Sequence, residues 1–236
     1  MICANKVWYA HPGADHHALH DISFAIGKGQ SALLCGSNGA GKSTLLKLLS
    51  GIIKPCKGQL RCAGVRYPGR SARPRKCALI MQEADHQILG GTVEEDLLIC
   101  WSNPSQMHRD RAKRLAQEFG LNMHADVSTL SYGQKRKLCI ASALITDPLV
   151  MLMDEPGNGL DYAGCLLLSQ CIKKLRTEGI SFVIATHDPS VFMGAFENDD
   201  RFMVLKNGLL AADIPLLNAM REVSAHPEWG IRPWEK

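Results

Sequence analysis

The sequence predicts an α/β fold built on a parallel sheet, interrupted by a helical subdomain at about residues 92–144. Three observations point there. Four short apolar runs bounded by turn residues, 31–35, 149–153, 181–186 and 201–205, have the unbroken hydrophobicity of strands buried on both faces. The first of them, SALLC, leads directly into the glycine loop GSNGAGKST and then into a helical stretch. The residues from Thr92 to Leu144 read as mainly helical, with Pro104 near one break and little strand signal.

Size and composition are consistent with this. A chain of 236 residues only modestly exceeds the usual ~100–200 per domain, so one domain spanning 1–236 with a smaller inserted subdomain is expected. No apolar run approaches the ~18 residues of a membrane-spanning helix, and residues 1–10 hold one lysine and no signal-like apolar core. The expectation is a chain that does not cross a bilayer and works in the cytoplasm. A formal net charge of +4 is small for a surface meant for nucleic acid, and none is expected as a partner. The surplus is also local: Arg66, Arg70, Arg73, Arg75 and Lys76 share a stretch with Pro68 and Pro74 that reads as a solvated loop. The nine cysteines are odd in number and include no Cys-x-x-Cys, which favours reduced, mostly buried thiols.

Taken in order, the chain opens with a segment containing His11, His16, His17 and His20 near Pro12 and Gly13. It reads as an exposed loop, without paired metal-ligand spacing. After the strand at 31–35, the helix following Gly41 spaces Leu45, Leu48, Leu49 and Ile52 at three and four, with Gly51 marking its end. A strand-like CALIM precedes Gln82. LSYGQK, residues 130–135, opens a further helical stretch shortly before the strand that ends in Asp154 and Glu155. The strand at 181–186 delivers His187, and the tail beyond about Pro215 carries Pro227, Trp229, Pro233 and Trp234.

The glycine loop matches G-x-x-x-x-G-K-[ST] in its required strand–loop–helix context, and the chemistry follows from its residue types. Gly36, Gly39 and Gly41 let the backbone curl so that successive N–H groups, those of Ser37, Asn38 and Ala40 among them, converge on phosphates at a helix N-terminus. Lys42 reaches the β and γ phosphates, Ser43 offers a hydroxyl to the magnesium ion that bridges them, and Thr44 lies toward the α-phosphate. ATP or GTP with Mg2+ is implied. At the end of the later strand, Asp154 is suited to hold the magnesium and Glu155 to orient and polarise the attacking water.

LSYGQ resembles the Leu-Ser-Gly-Gly-Gln signature of the ABC ATPases. With the phosphate loop, the Asp-Glu strand, Gln82, Asp161 and His187, the resemblance covers nearly the whole chain in the family's order. It implies a P-loop NTPase of the ABC-ATPase type, with a RecA-like parallel core, an antiparallel β subdomain and an inserted helical subdomain. It further implies that Ser131, Gly133 and Gln134 face the nucleotide held by an opposite subunit. Gln82 then reaches the magnesium site, Asp161 lines the seam between subunits, and His187 contacts the γ-phosphate. Three residues depart from the usual pattern: Tyr132 stands in place of the signature's Gly, and Asn158 and Gly159 stand where Thr and Ala are commoner. For the adenine-stacking ring the candidates are His11 and Tyr9.

The stretch QEADHQILGGTVEEDL, together with LSYGQKRK, is similar to energy-coupling-factor and cobalt/nickel importer ATPases. That resemblance implies integral membrane partners, a scaffold protein and a substrate-binding protein, and cargo in the form of a vitamin or a transition-metal ion. It implies a peripheral location at the cytoplasmic face of the membrane and a homodimer or a heterodimer with another ABC ATPase. The alternative is a soluble ABC ATPase acting on the ribosome or DNA; such chains carry paired ATPase units or a long coiled-coil insertion, whereas 48 residues separate Gln82 from Ser131 here.

Overall fold

The computed structural model describes residues 2–67 and 76–234. In chain order the strands and helices begin β1 (Ile2–Ala10), β2 (His17–Ile26), β3 (Ala32–Cys35), α1 (Lys42–Leu49), β4 (Lys57–Cys62), β5 (Val65–Tyr67) and β6 (Cys77–Ile80). Then come α2 (Val93–Leu98), α3 (Gln106–Glu118), α4 (Tyr132–Leu144), β7 (Val150–Asp154), α5 (Tyr162–Thr177), β8 (Ser181–Ala185), β9 (Arg201–Lys206), β10 (Leu209–Pro215) and α6 (Ala219–Ala225).

The main sheet has the strand order β10-β9-β3-β8-β7-β6. The five strands from β9 to β6 run parallel and β10 closes one edge antiparallel to β9. The continuous apolar runs have a simple cause, because successive residues of a strand face opposite sides of the sheet and both sides are covered. Leu34, Leu152, Val183, Ala185, Met203 and Leu205 enter one core with α1, β1, β2 and β4. Their neighbours Leu33, Cys35, Met151, Met153, Ile184 and Val204 enter the other, with α2 to α5 and the C-terminal segment.

The second sheet is antiparallel, in the order β2-β1-β4-β5. It corrects the loop reading of the histidine cluster: His17 and His20 lie within β2, whose residues Leu19, Ile22, Phe24 and Ile26 are buried. Their rings sit 5.3 and 5.6 Å from Trp8. Among the described residues no group of three or more His, Cys, Asp or Glu side chains could hold a metal ion. Arg66 belongs to β5, while Arg70, Arg73 and Arg75 of the basic stretch lie outside the described residues. Lys76 donates to the Thr146 carbonyl.

Helix α1 stops at the glycine that marks its end in the sequence, so Ile52, the last residue of the leucine spacing, falls beyond it. Ser50 caps it, Gly51 takes a φ of 75°, and Ile52 is left exposed rather than packed. Between β6 and β7 the chain is helical, and each α-helix there starts on a hydroxyl cap. Thr92 pairs with Glu95, Ser105 with His108 and Ser131 with Gln134 in reciprocal capping boxes. Buried Asp96 ties this region together, accepting from the Leu89 and Gly90 amides and from the Ser142 hydroxyl. Among the described residues no helix is long and apolar enough to cross a membrane.

Candidate active site

Parallel strands deliver their loops at their carboxyl ends, and here four adjacent strands, β3, β8, β7 and β6, supply the glycine loop, His187, Asp154 with Glu155, and Gln82. These segments line one cavity of about 830 Å3. Its walls include residues 37–44, Gln82, Asp154, Glu155, His187 and His11.

The loop's shape depends on Gly36. Its φ is 140°, and a β-carbon there would lie 2.1 Å from the Leu205 carbonyl oxygen, so no larger residue fits beside β9. Lys42 follows at the start of α1 and is buried. Its ammonium donates to the carbonyl oxygens of Gly36 at 2.7 Å and Ser37 at 3.2 Å, and stands 3.7 Å from Glu155 Oε1.

Glu155 is held from several sides. Its backbone adopts a φ of 44°, a left-handed conformation that costs a non-glycine residue roughly 1–2 kcal/mol. The Glu155 amide donates to the Ala185 carbonyl at 2.9 Å, which fixes the turn to β8. On the side chain, Oε2 lies 2.9 Å from His187 Nδ1 and accepts from the His187 amide at 3.3 Å. The imidazole is itself half-exposed to the cavity, with a side-chain exposure of 58%.

Asp154 is buried at the cavity floor. Burial pushes its carboxyl above the ordinary aspartate range; the Ser43 hydrogen bond opposes that shift and the Glu155 charge adds to it. Its Oδ1 is buried with no hydrogen-bond partner. Such an acceptor costs about 1–3 kcal/mol unless something pairs with it. An unpaired carboxylate oxygen beside a hydroxyl and a glycine-lined, lysine-bearing loop is the donor set of a divalent cation with a polyphosphate, so the residues present fit Mg2+ and ATP.

Tyr9 and His11 separate clearly. Tyr9 is buried within the antiparallel sheet, and the exposed His11 stands edge-on to it, with ring centroids 5.0 Å apart, and lines the cavity. Other predicted residues are not brought to this cavity. Ser131 caps α4, its hydroxyl accepting from the Gln134 amide at 3.3 Å while Gln134 Oε1 accepts from the Ser131 amide at 2.9 Å. Gly133 lies in the first turn of α4. Asp161 caps α5, accepting from the Gly164 amide at 2.7 Å. Neither helix start lines the cavity.

Sequence reasoning did not anticipate Ala18, Asn158 and Gly230 in the lining. Gly230 comes from the C-terminal segment, pinned by buried Trp229 and Ile231, and it passes close to Ser37. Nothing in the tail's sequence pairs it with a loop nearly 200 residues earlier.

The ABC transporter family model matches residues 19–158. The chain is 32% identical to the cobalt import ATP-binding protein CbiO of Rhodobacter capsulatus, over 99% of this chain and 85% of that protein. It is 33% identical to the energy-coupling factor transporter ATP-binding protein EcfA1 of Mycoplasmopsis synoviae, over 91% and 83%. Among solved structures, cbiO1 of Clostridium perfringens, part of the ABC transporter complex cbiONQ, aligns with a TM-score of 0.79 at 25% identity, covering 95% of this chain and 94% of that one. The cavity's loop and acids, the two-sheet fold and these relatives agree: the chain belongs to the ABC transporter family, as an ATP-binding, ATP-hydrolysing subunit.

Proposed function

We propose that this subunit hydrolyses Mg-ATP between two ATPase subunits and drives an importer of the energy-coupling-factor or cobalt type, carrying a vitamin or a transition-metal ion. The convergence of Lys42, Asp154, Glu155 and His187 on one glycine-lined cavity carries the reading. Residues 36–44 cradle the phosphates, Lys42 neutralises the β and γ groups, and His11 stacks on adenine. Ser43, Asp154 and Gln82 are the residues that would hold Mg2+, which neutralises charge developing on the transferred phosphoryl group. Glu155 accepts the proton of the attacking water at its carboxylate, and His187 keeps that carboxylate oriented through the 2.9 Å contact.

The separation of Ser131, Gly133, Gln134 and Asp161 from the cavity supports a half-site arrangement. A helix start that caps itself and points to no ligand within its own chain is free to meet the nucleotide of a second subunit, identical or homologous. Integral membrane subunits, a scaffold and a substrate-binder, select the cargo, and the subunit docks on them at the cytoplasmic face. Names of the relatives support the importer over a soluble ribosome- or DNA-directed ATPase. Sedimentation of the purified chain tests the half-site reading. Glu155→Gln forms a dimer with ATP and Mg2+, and adding Ser131→Arg dissolves it without weakening nucleotide binding to the single chain. A monomer that binds ATP equally well and turns it over with Ser131→Arg in place overturns the shared site.

A further inference from the structure

Two departures from the family's usual residues meet in space. Tyr132 and Gly159 lie 27 positions apart in the chain, yet a β-carbon built on Gly159 would fall 2.7, 2.9 and 3.1 Å from Cε1, Cζ and Cδ1 of the Tyr132 ring. Packed carbon atoms do not approach so closely, so the aromatic ring occupies the space that any other residue at 159 needs. Gly159 also takes a φ of 75°.

The far end of the same ring is anchored. The Tyr132 hydroxyl donates to the Gln82 carbonyl at 3.4 Å and accepts from Arg136 Nη2 at 3.1 Å. Arg136, fully buried, donates in turn to the carbonyls of Met81 at 2.7 Å and Gln82 at 2.6 Å, and its guanidinium lies 5.7 Å from the ring centroid. One side chain therefore touches three segments: residues 81–82 after β6, the first turns of α4, and the turn before α5. Gln82 and Asn158 line the nucleotide cavity, while Ser131 and Asp161 cap the helices that follow.

We propose that Tyr132 is a positioning residue: its ring on Gly159 and its hydroxyl at the Gln82 backbone lock the three segments into one unit, so that movement at Gln82 carries Ser131 and Asp161 with it. This rests on the ATPase reading above and extends it. The signature's lost glycine and the turn's acquired one are then a matched pair, each tolerable because of the other.

The test is a double-mutant cycle on the full chain, purified with whatever transporter subunits accompany it. Tyr132→Gly and Gly159→Ala are made singly and together, and kcat and KM for ATP are measured with thermal midpoints. Alanine at a positive φ is strained in both backgrounds, so that cost cancels. The expected result is that Gly159→Ala lowers kcat about tenfold when Tyr132 is present and less than about twofold when it is Gly, a coupling typical of residues in contact. KM stays within about twofold throughout, and Tyr132→Phe, which keeps the ring and loses the hydroxyl, falls between wild type and Tyr132→Gly. Losses in kcat that simply multiply, or coupling that moves only the thermal midpoint, overturn the positioning role while leaving the ATPase reading intact. A wild-type chain without ATP turnover overturns the ATPase reading and this proposal together.

Discussion

Replacing Glu155 with glutamine separates chemistry from binding, and its size can be worked out from the contacts. The amide oxygen can take over the Oε2 position, still accepting from the His187 amide, now 3.3 Å away, and from Nδ1, now 2.9 Å away. The amide nitrogen takes the Oε1 position, 3.7 Å from Lys42 Nζ, where the ion pair is lost and two donors face each other at a distance beyond hydrogen bonding. That pair is worth about 4 kcal/mol of attraction at an effective dielectric near 20, but burying both charges costs a similar amount, so the net change in folding stability is small. Lys42 keeps its two loop carbonyls. The chemical step fares differently, because a positioned base contributes typically about 100- to 10,000-fold. Steady-state phosphate release is therefore expected to fall at least 100-fold, with ATP affinity changed by less than about threefold and an ATP-bound dimer accumulating. Turnover near the wild-type rate refutes the assignment of Glu155 as the base. Loss of ATP binding instead identifies its role as holding Lys42.

Three further outcomes follow from the same geometry. Asp154 carries a carboxyl raised by burial, so the folded chain binds its proton more tightly than the unfolded one, and the carboxylate lowers stability once pH passes the ordinary aspartate range. Asp154→Asn should therefore raise the nucleotide-free thermal midpoint at pH 7, lose that gain in acid below the unfolded pKa, and abolish the extra stabilisation that Mg2+ gives with ATP; an unchanged midpoint at pH 7 counts against the buried unpaired carboxylate. His11→Ala is expected to weaken ATP binding by about 1–3 kcal/mol in equilibrium titration, with His11→Phe restoring it, whereas Tyr9→Phe leaves affinity unchanged. Maleimide should label Cys56 and Cys100 in the folded chain, with Cys100 the slower as pH is lowered because burial and the Asp96 charge raise its thiol. Cys35, Cys62, Cys139 and Cys165 are buried, burial pushes Cys139 up to about 12, and all four should react only after unfolding, as mass spectrometry will show.

The parts of the fold legible in the sequence were those fixed by local physics. Strands β3, β7, β8 and β9 could be read because both faces are buried and their central residues are apolar, and the loop after β3 because only glycine tolerates its turn. The antiparallel sheet was harder. In β1 and β2 the apolar residues alternate with His, Lys and Asn, and two histidines that pack on Trp8 passed for loop residues. The end of α1 was legible from Gly51, although Ile52, which continues the leucine spacing, falls beyond the helix and is exposed. At the site, residues that line the cavity from the ends of four strands were legible from motif order. Gly230 was not, and neither was the fit of Tyr132 to Gly159, since both arise only where distant segments are brought together by packing.

A mild-detergent pull-down of the full chain from its native membranes, with ATP hydrolysis measured on what is recovered, decides whether this ATPase powers a membrane importer. The expected recovery is a polytopic membrane scaffold and a small integral substrate-binder in an assembly whose turnover is lost with Glu155→Gln. Recovery of ribosomes, DNA or soluble proteins alone, with hydrolysis intact, would contradict the importer and leave only the ATPase.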